Sequence, residues 1–416
     1  MKVKTLSENN NVVLYYPNSS KWLRFNESDF NFLINNYEFS ELEEYYNIKS
    51  DGYLEARPCY NSVYISMTNK CNLECEFCVT QKIGNDREEQ HTYDKELSNG
   101  DLEDFIIPYL KEISFNKIII TGGEPLCNTD LLNICRTLSE NFGRANLILE
   151  TNGLLLDKEM AKELSLLVNK IEISIENIMD DIKFKKHIEE ISGIIHSLGT
   201  QLIFSYVITR KNINSLRKAL DFSDENNSYL NYRFVQPFDN KIESLLLTKS
   251  DIKNIYAIFI DYLLEDKNKR KMNYGLDLIM NNVVPKSHCN AFGKTIAILP
   301  DGRVTICVNL QDEKFQIGKI SDYNKIEKNK EQVLNRSNIK ELFKHENEKK
   351  CKECIYIDFC GGLCISCRGH SHTYDSVECD LRKVIIRYNL FYHSKYNTIK
   401  ANITSFLNIL NEYFDI

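Results

Sequence analysis

"SVYISMTNKCNLECEFC", residues 62–78, sets an apolar, β-branched and aromatic run directly before three closely spaced cysteines. The run reads as a buried strand, and the cysteines as the loop that leaves its carboxyl end. Five further runs of this kind follow, at residues 117–121 (KIIIT), 146–151 (NLILET), 171–176 (IEISIE), 202–208 (LIFSYVI) and 230–236 (LNYRFVQ). Helical periodicity occupies residues 129–141, 158–169, 183–197 and 212–226 between them. Alternation of this sort predicts an α/β fold with a parallel sheet, and six such units curl into a partial barrel. Ligands of parallel α/β sheets bind at the carboxyl ends of the strands. The polar motifs fall there: the cysteine loop, Gly122-Gly123-Glu124-Pro125 after the second strand, Thr151-Asn152-Gly153 closing the third, and Ser174 late in the fourth. Thr-Asn-Gly alone is an ordinary turn. On a shared rim, the four features read as one site.

Composition narrows the function. The chain has 416 residues, 43% of them hydrophobic, enough for two or three domains with a substantial core. A formal charge of −7 argues against nucleic acid, which needs clustered positive charge. The basic run Lys267–Lys271 reads as a solvated helix end. No stretch approaches the ~20 apolar residues of a membrane span, and the N-terminus has no secretory core, so the expectation is a cytoplasmic protein without a membrane partner. The 14 cysteines are about 3% of the chain, below the roughly 8% at which a disulfide scaffold becomes the default. In a reducing compartment, clustered thiols point to metal. None lies between Cys135 and Cys289, which separates two metal-bearing regions.

Cys71, Cys75 and Cys78 are three where thiolate sites usually have four. A [4Fe–4S] cluster takes one thiolate per iron. Three thiolates therefore leave one iron open, as a catalytic zinc keeps an open position. A structural zinc site is disfavoured because no nearby fourth ligand is apparent.

Cys-x-x-x-Cys-x-x-Cys with Phe77 before the third cysteine, followed one strand later by GGEP, resembles the signature of the radical S-adenosylmethionine (SAM) enzymes. The resemblance implies that Cys71, Cys75 and Cys78 hold a [4Fe–4S] cluster whose open iron is chelated by the amino and carboxylate groups of SAM. The backbone of Gly122, Gly123 and Glu124 would meet the SAM amino group, Pro125 would complete this cofactor-binding motif, Phe77 would lie near the adenine, and Asn152 and Ser174 would serve the ribose or carboxylate. It further implies a one-electron donor such as flavodoxin or ferredoxin, and a 5′-deoxyadenosyl radical that takes hydrogen from substrate. No acid–base catalytic residue is assigned.

Cys289 and Cys307 bracket "TIAILPDGRVTIC", which reads as a hairpin turning at Pro300-Asp301-Gly302. Cys351-x-x-Cys354, Cys360, Cys364 and a distant Cys379 follow. This pattern resembles the SPASM extension of radical SAM enzymes that modify peptides and proteins. The resemblance implies two auxiliary clusters, the nearer on Cys289, Cys307 and Cys364 and the farther on Cys351, Cys354, Cys360 and Cys379. Zinc is the alternative, although the spacings fit paired zinc knuckles poorly. Some relatives have a further upstream cysteine; residues 280–288 have none, leaving His288, Cys367 or nothing in that place. Cys59, Cys127 and Cys135 match nothing and read as buried thiols or bystanders.

Residues 1–55 form a hairpin with a Pro17-Asn18-Ser19-Ser20 turn and then two short helices, the second opened by a Ser40-x-x-Glu43 capping box. They resemble, loosely and in shortened form, the winged-helix module that holds leader peptides, or else are a plain cap on the barrel. The expected organisation is 1–55 for this element, 60–240 for the radical SAM partial barrel, 241–285 for linker helices, 286–385 for the SPASM region and 386–416 for C-terminal helices. The function implied is a peptide maturase that installs a cross-link, foremost a cysteine thioether, in a ribosomally made precursor peptide carrying a leader. The enzyme alternatives are a sulfatase-maturing type, against which Val308 counts because an acidic residue is expected after Cys307, and a carbon–carbon cross-linking maturase. The non-enzyme alternative is an iron–sulfur electron carrier or peptide-docking protein.

Overall fold

The computed structural model describes residues 3–17, 21–46, 59–79, 95–176, 181–238, 240–265, 279, 283–286, 288–344, 349–367 and 377–414. The Asn18–Ser20 part of the N-terminal turn and the basic run at 267–271 lie outside them.

Strands β1 (Lys4–Glu8), β2 (Asn11–Tyr15) and β3 (Trp22–Asn26) form a separate antiparallel sheet. Asn9 and Asn10, at φ 51° and 55°, make the two-residue β1–β2 loop, the conformation such tight hairpins require. The expected pair of helices follows as Glu27–Asn36 and Phe39–Tyr45. The capping box is not where the sequence suggested. The second helix begins at Phe39, and it is Glu41 whose carboxylate accepts the Glu38 N–H at 2.9 Å, rather than the Ser40–Glu43 pair. One face of the sheet (Val12, Leu14, Tyr16) packs with Phe30. The other face (Val13, Tyr15) packs on Tyr356, Phe359, Ile386, Leu390 and Phe391.

A two-residue parallel pair, β4 (Cys59–Tyr60) with β6 (Ser114–Phe115), flanks the main sheet. That sheet holds β5 (Ser62–Ser66), β7 (Ile118–Thr121), β8 (Leu147–Thr151), β9 (Lys170–Ser174), β10 (Gln201–Ile208) and β11 (Tyr229–Phe234), adjacent in chain order and all parallel. Each matches one of the six runs read from sequence, displaced by no more than a residue or two at its ends. Helices Leu131–Phe142, Lys158–Leu167, Ile182–Ser197 and Leu216–Glu225 cover the sheet. Leu131, Ile134, Cys135 and Leu138, spaced as one helical stripe, supply the buried face of the first.

The sheet does not stop at β5. β12 (Thr295–Ile298) pairs in parallel with it, and β13 (Arg303–Thr305) and β14 (Gln316–Lys319) continue antiparallel to a total of nine strands. The 295–305 hairpin was legible from its turn, where Gly302 adopts φ 77° and its N–H returns to Leu299 at 2.9 Å. Its addition to the barrel sheet was not. Helix Ile326–Asn335 is tied to the barrel through Glu327, whose carboxylate accepts the hydroxyls of Tyr60 at 2.6 Å and Tyr109 at 2.7 Å. The C-terminal helices Val377–Arg387 and Ile399–Tyr413 pack on each other and on the core through Leu381, Val384, Phe406 and Leu410. Among the described residues no helix is long and apolar enough to cross a membrane.

Candidate active site and the auxiliary cysteine regions

The cysteine loop leaves the carboxyl end of β5 and meets the segment that leaves β7. Gly123 N–H donates to the Thr68 carbonyl at 2.7 Å, and Glu124 N–H donates to that of Lys70 at 2.8 Å. A Cβ on Gly123 would lie 2.3 Å from the Lys70 oxygen, and one on Gly122, at φ 154°, would lie 2.7 Å from that of Thr68. The two glycines are therefore required by the backbone of the loop itself. The Glu124 side chain, 1% exposed, accepts Thr151 Oγ1 at 2.5 Å, Asn152 N–H at 2.7 Å and Leu126 N–H at 3.1 Å. Burial raises its pKa and these donors oppose the rise. Pro125 opens the short turn Pro125–Cys127 that follows. Asn152 closes the bracket, donating its amide to Asn72 Oδ1 at 2.7 Å and accepting Leu154 N–H at 3.0 Å. Both ends of that amide thus serve the loop.

Against this frame lies a cavity of about 330 Å³, lined by Cys71, Cys75, Cys78, Phe77 and Ser174 among others. Five sites named from sequence thus share one wall with Gly123, Glu124 and Asn152. Sequence reasoning missed Glu150 and Glu176, which line the same cavity. Glu150 stands directly opposite Glu172 on β9, and Arg233 Nη2 reaches Glu172 at 3.1 Å and Glu150 at 3.9 Å. Burial, then the neighbouring Glu172, raises Glu150. Burial pushes Glu176 up to about 7, against the Val207 N–H it accepts. The signal was available: Glu150 and Glu172 are charges inside otherwise apolar parallel strands, where both faces are normally covered.

The Cys71 thiol accepts the Leu73 N–H at 3.4 Å, a bond that favours thiolate. Burial raises it overall, and Glu124, Cys78 and Cys127 add to the rise. The Cys127 sulfur accepts the Asn72 N–H. Cys135 is a core thiol with no exposure.

The C-terminal thiols fall into two neighbourhoods. Burial pushes Cys307 up to about 12, with Cys364 and Cys289 adding. Burial likewise raises Cys289, with Cys364 adding. Separately, Cys379 is pushed up to about 11 by burial, opposed by Lys383 and increased by Cys360 and Cys351. Cys354 neighbours Cys360 and Lys383. Arg382 donates to the Cys360 sulfur at 3.9 Å and to the Gly362 carbonyl at 2.7 Å. Cations thus stand beside the second set. Among the described residues no three His, Cys, Asp or Glu groups converge to hold a single metal ion. A thiolate-only donor set with N–H···S bonds and nearby cations is the chemistry that suits iron–sulfur clusters.

His288 is placed elsewhere. Its ring packs on Phe292 at 4.8 Å, and it hydrogen-bonds the Phe343 backbone.

Comparison with known proteins agrees with this architecture. Residues 65–198 match the radical SAM superfamily, and residues 289–355 match the SPASM iron–sulfur cluster-binding domain. Among curated sequences, the GTP 3′,8-cyclase of Staphylococcus carnosus is 29% identical over 187 residues, 42% of this chain and 53% of that one. That of Peptoclostridium acidaminophilum is 34% identical over 119 residues, 28% and 35% of the two chains. The chain spans about half or less of these relatives' length. Among solved structures, SuiB of Streptococcus suis bound to precursor peptide SuiA has a TM-score of 0.56 at 16% identity, covering 87% of this chain and 94% of that one. The enzyme anSMEcpe with bound AdoMet and Kp18Cys peptide has a TM-score of 0.58 at 17% identity, covering 85% and 100%. The chain carries a radical SAM domain and a SPASM iron–sulfur cluster-binding domain: it is an enzyme whose cofactors are iron–sulfur clusters and SAM.

Proposed function

We propose that the protein is a peptide maturase that installs a cross-link, foremost a cysteine thioether, in a ribosomally made precursor peptide. The observation that carries this reading is the antiparallel sheet β1–β3 docked on the auxiliary cysteine region. An antiparallel sheet with edges at β1 and β3 can take an extended peptide as a further strand, giving main-chain affinity without a nucleotide-like pocket. A cluster on Cys71, Cys75 and Cys78 with SAM on its open iron would supply hydrogen-atom abstraction from the substrate. The protein's part is positioning. Because an amine whose lone pair is on iron can only donate, the carbonyls of the Gly122–Glu124 segment, not its N–H groups, are what the SAM amino group would use. Phe77 and Ser174 would bound the adenosyl moiety, and Asn152 would hold the loop rather than the ligand.

The curated relatives favour a second reading, a nucleotide substrate. The lumen argues against it. Arg233, the cation at this end of the sheet, is already engaged by Glu172 at 3.1 Å and Glu150 at 3.9 Å, so a polyphosphate would meet carboxyl groups and an arginine held by them. A peptide carries no such penalty.

The test is coexpression with any short reading frame beside the gene that encodes a cysteine-containing peptide, followed by mass spectrometry. A loss of two hydrogens per cross-link, localised to a cysteine, is the expected product. An unmodified peptide, together with SAM-dependent conversion of GTP, would overturn the proposal in favour of the nucleotide reading.

A further inference from the structure

Cys367 is a surplus thiol in the sequence, yet its placement is specific. It lies three residues after Cys364 on the short turn Ile365–Cys367, with its N–H donating to the Cys364 carbonyl at 3.2 Å. Cys-x-x-Cys on a single turn presents two sulfurs side by side, the arrangement by which thiolate pairs grip one metal centre. Here the two thiols are within hydrogen-bonding reach of each other. The Ser366 hydroxyl spans them, 3.0 Å from the Cys364 sulfur and 3.9 Å from that of Cys367. Cys364 is in turn a neighbour of both Cys289 and Cys307. Cys367 is 1% exposed, lies among Val235, Phe238, Ile242 and Leu245, and faces Gln236 Oε1 at 3.7 Å.

His288 is turned to Phe292 and the Phe343 backbone. The upstream segment is held at Val283, whose carbonyl accepts the Trp22 indole N–H at 2.7 Å. We infer that Cys367 is the fourth thiolate of the nearer auxiliary cluster, completing Cys289, Cys307 and Cys364. The site is then closed, and no iron is left for a thiol of the substrate. This rests on the SPASM assignment, not on the peptide reading, which stands or falls on the product analysis above.

The experiment uses the full-length chain with Cys71, Cys75 and Cys78 changed to Ala, reconstituted anaerobically so that only auxiliary clusters remain. The parent should hold about eight irons, two [4Fe–4S] clusters, and its spectrum should be indifferent to an added cysteine-containing peptide. Cys367→Ala should lose about one iron per chain on mild oxidation, with a [3Fe–4S] electron paramagnetic resonance signal, and its spectrum should then respond to the peptide thiol. Cys367→Ser retains the size of the side chain and an oxygen donor. It should keep the iron but shift the spectrum and midpoint potential of one cluster, which decides the matter if the alanine variant does not fold. Cys135→Ala, a buried thiol elsewhere, should change neither. Iron content and spectra of both Cys367 variants identical to the parent, or a parent cluster that binds the peptide thiol, would overturn the assignment.

Discussion

Glu176 is the carboxyl most displaced from its ordinary behaviour in the barrel, held at about 7 by burial. A carboxyl raised in the folded state contributes stability that is complete below its unfolded value, about 4.5, and is lost as pH rises through about 7. Glu176→Gln removes that dependence. The thermal midpoint of the variant minus that of the parent should therefore climb between about pH 4.5 and about pH 8; a flat difference would show the carboxyl is not burdened by charge. Gly123 gives a second residue-scale expectation. Alanine there would set its Cβ 2.3 Å from the Lys70 carbonyl, so the loop must move. A cost of about 1–3 kcal/mol follows, read as about tenfold or greater loss of SAM affinity by calorimetry. Undiminished affinity would mean the loop is not what holds the ligand. That the first cysteine loop and the Gly-Gly-Glu-Pro run would meet at one cavity was legible because their residue types and spacing are chemically unusual. Arg233 was not, because a single arginine late in a strand announces nothing until Glu150 and Glu172 are seen across from it.

At the scale of elements, β1–β3 is bound into the molecule through its Val13 and Tyr15 face, so excising it would strip cover from Phe359, Leu390 and Phe391. A point change is the cleaner probe. Asp358 accepts Lys4 Nζ at 2.8 Å and Tyr15 OH at 3.0 Å, with Tyr15 part-buried. Asp358→Ala should weaken docking by about 1–3 kcal/mol, since it strands a part-buried hydroxyl. Hydrogen exchange should then rise across residues 4–26 and stay unchanged in β7–β9; uniform exchange would refute the docking role of Asp358. The six parallel strands and their helices could be read from sequence because their signal is local periodicity. The misplaced capping box shows the limit of such signals. Serine is the favoured cap and glutamate is not, yet here the helix starts where Glu41 reaches back to Glu38. The partner of β12 was not readable at all, because pairing between distant strands leaves no mark on either one's own pattern.

For the whole molecule, the two cysteine regions imply about three [4Fe–4S] clusters, or about twelve irons per chain. Changing Cys71, Cys75 and Cys78 to Ala should remove about four irons and abolish 5′-deoxyadenosine formation, measured by iron assay and chromatography. Persistent SAM cleavage would contradict the assignment of the loop. The pairing of β12 with β5 also bears on how the chain reaches its fold. Thr295 sits opposite Ser62, so the strand that feeds the cysteine loop acquires its second neighbour only after more than half the chain has followed it. Loop closure over that span is slow relative to local pairing. Until it occurs, β5 is an open apolar edge, the kind that recruits other chains. The emerging polypeptide is thus most prone to aggregate during synthesis of the segment that precedes residue 295. A fragment ending there would keep every residue of the first cysteine loop and still be a poor substitute for the enzyme.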